Sequence, residues 1–221
     1  MNRFDRPRRL FAVALAGLAG FVDSAGFLSA NGYFVSFMSG NTTRLGIDLS
    51  GAGGNAALPA LLLGGFVVGV TSGALIAEAA GRWRKPVLVA SVALLLLAAA
   101  GLHDAGHDRL ALAPMVMAMG ALNMTFQRNG TAAIGLTYMT GALVRLGQAI
   151  AGALTGNRRS GWLGHTLLWA ALAGGAVTGA NASQRLGSGA FWAAGAIAAL
   201  LALAAWAIAR RENPDQSGKS A

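Results

Sequence analysis

Two stretches of the chain repeat one polar pattern: residues 36–46 have the sequence SFMSGNTTRLG, and residues 137–147 have the sequence TYMTGALVRLG. In both, Met is followed by Ser or Thr, Gly, three variable positions and Arg-Leu-Gly. Ser, Thr and Asn accept hydrogen bonds from free N–H groups at a helix N-terminus, and Gly permits a sharp bend there. That terminus is the positive end of the helix dipole and favours an anion. The pattern predicts two short helices whose first turns contact a small solute.

Arg44 and Arg145 are charged residues about one turn into these expected helices. Ionisable residues within a membrane are functional candidates by default. Asp23 is placed to pair with Arg44, whereas its counterpart in the second half is Asn123; Glu78 could supply an acid to Arg145. The alternative is structural, with each Arg extending to a lipid headgroup or pairing with an acid to fix the fold. The candidate solute contacts are Asp23, Ser39, Gly40, Asn41, Thr42, Arg44, Glu78, Asn123, Thr140, Gly141, Arg145 and Gln184.

The composition indicates that these elements lie in a membrane. Of the 221 residues, 55% are hydrophobic and 11% are charged, whereas soluble domains carry about 25% charged residues. A spanning helix needs roughly 17–25 mainly apolar residues. Six apolar runs of about this length follow one another: 10–28, 56–77, 87–102, 110–124, 162–182 and 190–209. We therefore expect six membrane spans and no soluble domain.

The net charge of +9 fits membrane orientation better than nucleic-acid binding. With a cytoplasmic N-terminus, 14 of the 17 Lys and Arg residues fall on the cytoplasmic side, and only Arg44, Arg109 and Arg185 fall outside. Cytoplasmic loops of membrane proteins carry such an excess of Lys and Arg. We expect both termini in the cytoplasm, the lipid bilayer as a partner, and no nucleic acid.

Matches outside the motif indicate an internal duplication. Gly20-x-x-Asp23 corresponds to Gly120-x-x-Asn123, and the small-residue pattern at 69–81 recurs at 175–187 with Glu replaced by Gln. Matches in the same order favour duplication, and three spans per copy invert the second copy in the membrane.

The expected fold class is therefore an all-α integral membrane protein with six transmembrane helices as two inverted three-helix repeats. The first repeat covers residues 1–105 and the second covers 106–209, each with a re-entrant or interfacial half-helix motif after its first helix. Residues 210–221 are polar and are expected to form a disordered cytoplasmic tail. Eight spans remain an alternative, in which the motif segments cross the membrane themselves.

Small residues recur at every fourth position in the second and fifth apolar runs. A stripe of this kind forms a groove that lets two helix backbones approach closely. We expect these two runs to pack against each other on the pseudo-two-fold axis; the alternative is a homodimer that forms through the grooves. The central groove residues are Gly65, Gly69, Gly73, Gly175 and Gly179.

The sequence offers little for enzyme chemistry or metal binding. There is no cysteine, and we find no phosphate-binding loop, no nucleophile paired with a base, and no paired intramembrane His or Asp. His103 and His107 in HDAGHD have the spacing of metal ligands on a helix, but Gly106 between them favours a solvated loop. We expect no catalytic residues, no cofactor and no metal.

Residues 20–46, GFVDSAGFLSANGYFVSFMSGNTTRLG, resemble the signature of the YoaK-like family (a domain of unknown function) of bacterial multi-pass membrane proteins. Members have a Gly-x-x-Asp-x-x-Gly-[Phe/Tyr] helix and then a Met-[Ser/Thr]-Gly-Asn-Thr segment. The resemblance covers nearly the whole chain because members share its length and helix count. It implies a location in the bacterial inner membrane and names no substrate. The matching positions are Gly20, Asp23, Gly26, Phe27, Met38, Ser39, Gly40, Asn41 and Thr42.

The favoured functional hypothesis is a transporter or channel for a small solute, with an anion as the favoured class and a pathway between the two repeats. The alternative is a non-transporting membrane scaffold or regulator that dimerises through its Gly-rich helices. The hypotheses differ in what they require: transport depends on the polar residues of the motifs, whereas assembly depends on the grooves.

Overall fold

The computed structural model describes residues 6–128, 131–132, 139–156 and 162–211. Helices dominate this part of the chain. They are α1 (Arg6–Ser29), α2 (Met38–Leu49), α3 (Ala57–Ala80), α4 (Arg84–Asp104), α5 (Asp108–Leu122), α6 (Met139–Leu154), α7 (Trp162–Leu186) and α8 (Gly189–Arg211). Two 3₁₀ turns, Gly81–Trp83 and Asn123–Phe126, follow α3 and α5. The strands β1 (Gln127–Arg128) and β2 (Thr131–Ala132) form a short antiparallel ladder.

Within the described residues, four segments are long and apolar enough to cross a membrane: Pro7–Ser29, Ala57–Asp104, Asp108–Phe126 and Gly189–Arg211. The second contains two helices, α3 and α4, which pack against each other because the chain turns at Gly81, where φ is +51°. Each of the six expected runs coincides with a helix. Helix α7, with 25 residues, is not among these four segments; its sequence includes several Gly residues as well as Asn, Ser and Gln.

Helix α3 packs its row of glycines against α5. A Cβ atom at Gly73 would lie 2.8 Å from the Cα of Ala121, and one at Gly69 would lie 2.7 Å from the Cα of Met117. Both distances are shorter than any real Cβ contact, so only glycine allows the two backbones to come this close.

Helix α7 uses its glycines in the same way, but against α1. A Cβ at Gly179 would lie 2.7 Å from the Cα of Phe21, and one at Gly175 would lie 2.8 Å from the carbonyl carbon of Gly17. The expected packing of the second run against the fifth is therefore wrong. The small residues mark the correct faces, yet each groove receives the first helix of the opposite half rather than the other groove.

Helices α4 and α8 pack against each other along most of their length. Leu88, Val92 and Leu96 of α4 are buried, as are Ala194 and Ala198 of α8. The small alanines of α8 allow it to approach the larger side chains of α4. The pair contacts α3, α5, α1 and α7 in turn.

The two motif segments form the short helices α2 and α6, which begin at the equivalent residues Met38 and Met139. Their 12 and 16 residues correspond to roughly 18 and 24 Å at 1.5 Å per residue. Both are shorter than the hydrocarbon core of about 30 Å. Helix α2 packs on α3 and α6 packs on α7. Of the expected disordered tail, Arg210 and Arg211 end helix α8, and residues 212–221 lie outside the described part of the chain.

Candidate functional site

The loop between α1 and α2 is held in place by Asp23. After α1 the chain turns through Asn31 and Gly32, whose φ angles are +51° and +86°. It then returns along α1, where one carboxylate oxygen of Asp23 accepts hydrogen bonds from the N–H groups of Val35 (3.0 Å) and Ser36 (2.8 Å). Hydrogen bonds to a charged acceptor are stronger than neutral ones. Asp23 therefore fixes the direction in which the chain approaches α2.

Asn41 locks the first turn of α2 onto the same loop. Its side chain is fully buried. The amide oxygen accepts the N–H of Phe34 at 3.0 Å, and the amide nitrogen donates to the carbonyl of Phe34 at 2.7 Å. This two-way pairing needs both a donor and an acceptor on one side chain, which an amide provides and a carboxylate does not.

Helix α2 begins differently from the expected Ser or Thr cap. The residue before the helix is Phe37, whose carbonyl accepts the N–H groups of Gly40 (3.1 Å) and Asn41 (3.3 Å). The Phe37 ring contacts the Phe34 ring edge-on, with 5.1 Å between centroids. A Cβ at Gly40 would lie 2.6 Å from a ring carbon of Phe37. Gly40 thus makes room for the aromatic ring that closes the start of the helix.

The starts of α2 and α6 meet at one cavity of about 190 Å³. Two matched pairs from the motif copies line it: Met38 and Ser39 from α2, and Met139 and Thr140 from α6. Ser36, Phe37, Phe66 and Gly141 complete the lining. The first N–H groups of a helix have no partner within the helix, and the N-terminus carries a partial positive charge. The cavity therefore lies between two positive helix ends, with the hydroxyl-bearing residues Ser39 and Thr140 in its wall.

Similarity to known proteins agrees with this membrane architecture. The sequence profile of a family described as "Protein of unknown function (DUF1275)" matches residues 11–204. The chain belongs to the DUF1275 family. One relative, the UPF0700 transmembrane protein RA0705 of Rhizobium meliloti (strain 1021), is 38% identical over 198 residues, which cover 90% of this chain and 86% of that protein. No solved structure matches the chain.

The expected membership of a membrane-protein family of unknown function is thus confirmed. The transmembrane relative and the apolar helices together make the DUF1275 chain a multi-pass membrane protein. The family description carries no activity, so functional argument depends on the site itself.

Arg44 takes a different partner from the one expected. Its guanidinium lies over the ring of Tyr33, 4.9 Å from the centroid, and Tyr33 donates its hydroxyl hydrogen to Asp48 at 3.2 Å. Among the described residues, Asp23 and Arg44 do not form the expected ion pair, because the loop N–H groups occupy the carboxylate. Arg44 thus holds α2 against the loop and does not line the cavity.

The remaining charged and amide candidates of the DUF1275 chain are spread over the structure. Glu78, Arg145 and Gln184 are exposed and do not line the cavity. Asn123 is buried, and its amide nitrogen donates to the carbonyl of Met119 at 2.9 Å. Thr42 is exposed and donates to the carbonyl of Met38 at 2.9 Å. Of the expected solute contacts, the structure brings together Ser39, Thr140 and Gly141.

The HDAGHD segment is more ordered than a solvated loop. Asp104 accepts a hydrogen bond from the indole of Trp192 at 2.7 Å, and His103 lies 4.4 Å from the ring of Phe191, centroid to centroid. His103 Nδ1 also lies 2.6 Å from a carboxylate oxygen of Asp108. The contacts with Trp192 and Phe191 fasten the end of α4 to the start of α8, and the contact with Asp108 joins it to the start of α5. Among the described residues, no group of three His, Cys, Asp or Glu side chains is placed to hold a metal ion.

Two contributors to this region, Asp48 and Phe66, were not predicted from the sequence. Asp48 accepts from Tyr33 and, through its other oxygen, from the N–H of Gly54 at 3.0 Å. Phe66 lines the cavity from α3. The sequence carries one signal for Asp48, because a lone acid at the end of an apolar helix needs hydrogen-bond donors nearby. These donors come from loops whose course the sequence does not specify.

Proposed function

We propose that this protein is a transporter or channel for a small solute, built from two inverted three-helix repeats. The pathway passes between the starts of α2 and α6. The observation that carries this proposal is the cavity in which Met38 and Ser39 face Met139 and Thr140. These residues hold equivalent positions in two motif copies that lie 101 residues apart in the chain.

The helix pairings support an inverted repeat. Exchanging the two halves maps α1 onto α5, α2 onto α6, α3 onto α7 and α4 onto α8. Under this exchange the α1–α7 contact becomes the α5–α3 contact, α2–α3 becomes α6–α7, and α4–α8 maps onto itself; all of these contacts are present. Substrate sites of transporters with inverted repeats typically lie at the repeat interface, where half-helix N-termini face the substrate.

Two features favour an anion as the solute. Both helix ends that face the cavity are positive, and the described residues that line it carry no acidic side chain. Ser39 and Thr140 offer hydroxyl donors to such a solute. The distribution of Lys and Arg favours cytoplasmic termini, and the resemblance to a family of bacterial multi-pass membrane proteins favours the inner membrane.

The scaffold alternative loses its main argument. The grooves at Gly69–Gly73 and Gly175–Gly179 receive α5 and α1 within the same chain, so they are not available to a second copy. A homodimer would need another surface.

Solute flux in proteoliposomes tests the proposal. A panel of small anions and cations is offered to the purified wild-type protein and to the double variant Ser39→Phe/Thr140→Phe, which fills the cavity. The control is Thr43→Phe/Val144→Phe, which places the same rings one turn further along α2 and α6 at exposed positions. We expect anion flux in wild type and control and none in the filled variant. Equal flux in all three would rule out a pathway through this cavity.

A further inference from the structure

A second concave surface, which shares no lining residue with the motif cavity, lies between α4 and α8. The two helices run antiparallel, because the end of α4 contacts the start of α8 through Asp104 and Trp192. At the opposite end an apolar groove of about 470 Å³ opens between them. Trp83, Val87 and Ala90 form one wall, and Ala202, Leu203 and Trp206 form the other.

Two arginines stand at the mouth of this groove. The guanidinium of Arg210 lies 3.7 Å from the ring centroid of Trp206, and that of Arg82 lies 4.7 Å from the ring centroid of Trp83. The rings of Trp83 and Trp206 also line the groove. Their contacts with the guanidinium groups therefore hold both positive charges beside the opening of the groove. Cation–π contacts are strongest when partly desolvated, as they are at a membrane surface.

The charge at this end of the molecule is strongly positive. Arg84 and Arg211 are adjacent in sequence to the groove, whereas Lys85 extends to the ring of Phe126, 5.8 Å away. Glu78, one turn before Arg82, is the acid nearest in sequence on α3. An apolar slot with a cationic mouth is complementary to a molecule that has an apolar tail and an anionic head.

The dimensions fit a lipid in the bilayer. From Trp83 to Ala90 the groove wall follows about two helical turns, roughly 11 Å at 1.5 Å per residue. One leaflet of the hydrocarbon core is about 15 Å deep. Trp residues concentrate at the membrane–water interface, which places Trp83 and Trp206 at headgroup depth. Basic pockets between transmembrane helices bind anionic lipid headgroups.

We propose that this groove binds one anionic phospholipid. An acyl chain lies along Val87, Ala90 and Leu203, and the phosphate contacts Arg82 and Arg210. The proposal is independent of the transport function and of which membrane face carries the groove.

Quenching of tryptophan fluorescence by brominated lipids tests it. The full chain is reconstituted in phosphatidylcholine nanodiscs containing a rising fraction of phosphatidylglycerol with brominated acyl chains, and in a second series brominated phosphatidylcholine is used instead. The Trp83→Phe/Trp206→Phe variant gives the background signal of the remaining tryptophans. An arginine near an anionic surface contributes about a fivefold preference. We therefore expect phosphatidylglycerol to quench Trp83 and Trp206 at a mole fraction at least about fivefold lower than phosphatidylcholine.

Matched charge variants locate the site. Arg82→Gln/Arg210→Gln should abolish the preference for phosphatidylglycerol. The control Arg109→Gln/Arg185→Gln removes the same charge from the start of α5 and the end of α7, and it should retain the preference. Raising the salt concentration should weaken the preference, since screening shortens the reach of surface charges. Equal quenching by both lipids would overturn the proposal. So would a dimer in which a second copy shields both tryptophans from either lipid.

Discussion

Asn41 is predicted to determine whether α2 stays docked on its loop. In Asn41→Ala both hydrogen bonds to Phe34, at 2.7 and 3.0 Å, are lost in a fully buried setting. Each buried polar group left without a partner costs about 1–3 kcal/mol. The two unpaired groups on the backbone of Phe34 would together cost roughly 2–6 kcal/mol of stability. We expect the lower part of this range, about 2–4 kcal/mol, because relaxation lets water reach the two groups.

The loss of stability in Asn41→Ala should appear as local opening of α2 rather than as global unfolding, because α2 packs mainly on α3. Hydrogen exchange of α2 amides in nanodiscs measures this opening directly. A cost of 2–4 kcal/mol corresponds to exchange that is about 30- to 1,000-fold faster. The control is Thr42→Ala, which removes an exposed hydroxyl bonded within the helix and should change exchange less than about threefold. If Asn41→Ala exchanged no faster than this control, the structural role assigned to Asn41 would be refuted.

Three further substitutions test the packing and the loops. Gly73→Leu places a side chain into the backbone of the facing helix and should destabilise the fold by about 1–3 kcal/mol or more. The control Gly64→Leu has open space around it and should leave the stability unchanged. Unfolding in mixed detergent micelles compares the two variants, and equal stabilities would contradict the groove packing. Asp23→Ala removes the acceptor of two loop N–H groups and should speed proteolysis of the loop before α2 while α7 stays protected; an unchanged loop would argue against this role. Trp192→Phe deletes the hydrogen bond to Asp104 and should cost about 0.5–1.5 kcal/mol in the same unfolding assay, and no loss would show that this contact does not fasten α4 to α8.

The sequence predicted the helices and the two polar motifs well because both signals are local. Apolar runs of spanning length mark the long helices, and the repeated Met-Ser/Thr-Gly pattern marks the starts of α2 and α6. The expected hydroxyl cap was wrong for α2, because the carbonyl of Phe37 accepts the first N–H groups of the helix. Ring packing between Phe34, Phe37 and Gly40 determines that start, and this contact depends on the course of the loop.

The helix that packs into each groove was harder to predict than the helix face that forms the groove. A groove of small residues accepts any helix that also offers a smooth surface, and Gly17 on α1 and Gly120 on α5 provide such surfaces. The choice of α1 and α5 over the opposite groove therefore depends on global packing. The same holds for Asp23 and Arg44: a pairing based on membrane side ignored that the loop turns back at Asn31 and Gly32 and presents backbone donors to the carboxylate.

The central claim is that the starts of α2 and α6 face each other across the solute pathway. The chain has no cysteine, so Ser39→Cys/Thr140→Cys introduces a single thiol pair. The control Ser50→Cys/Thr155→Cys places the pair at the far ends of the same helices. A short, reducible bifunctional thiol reagent is applied to each protein in proteoliposomes, and flux is followed before and after reduction.

We expect an intramolecular cross-link between positions 39 and 140 that stops flux, with recovery on reduction, and no such effect in the control. A 39–140 cross-link that leaves flux unchanged, or no cross-link at all, would contradict the central claim.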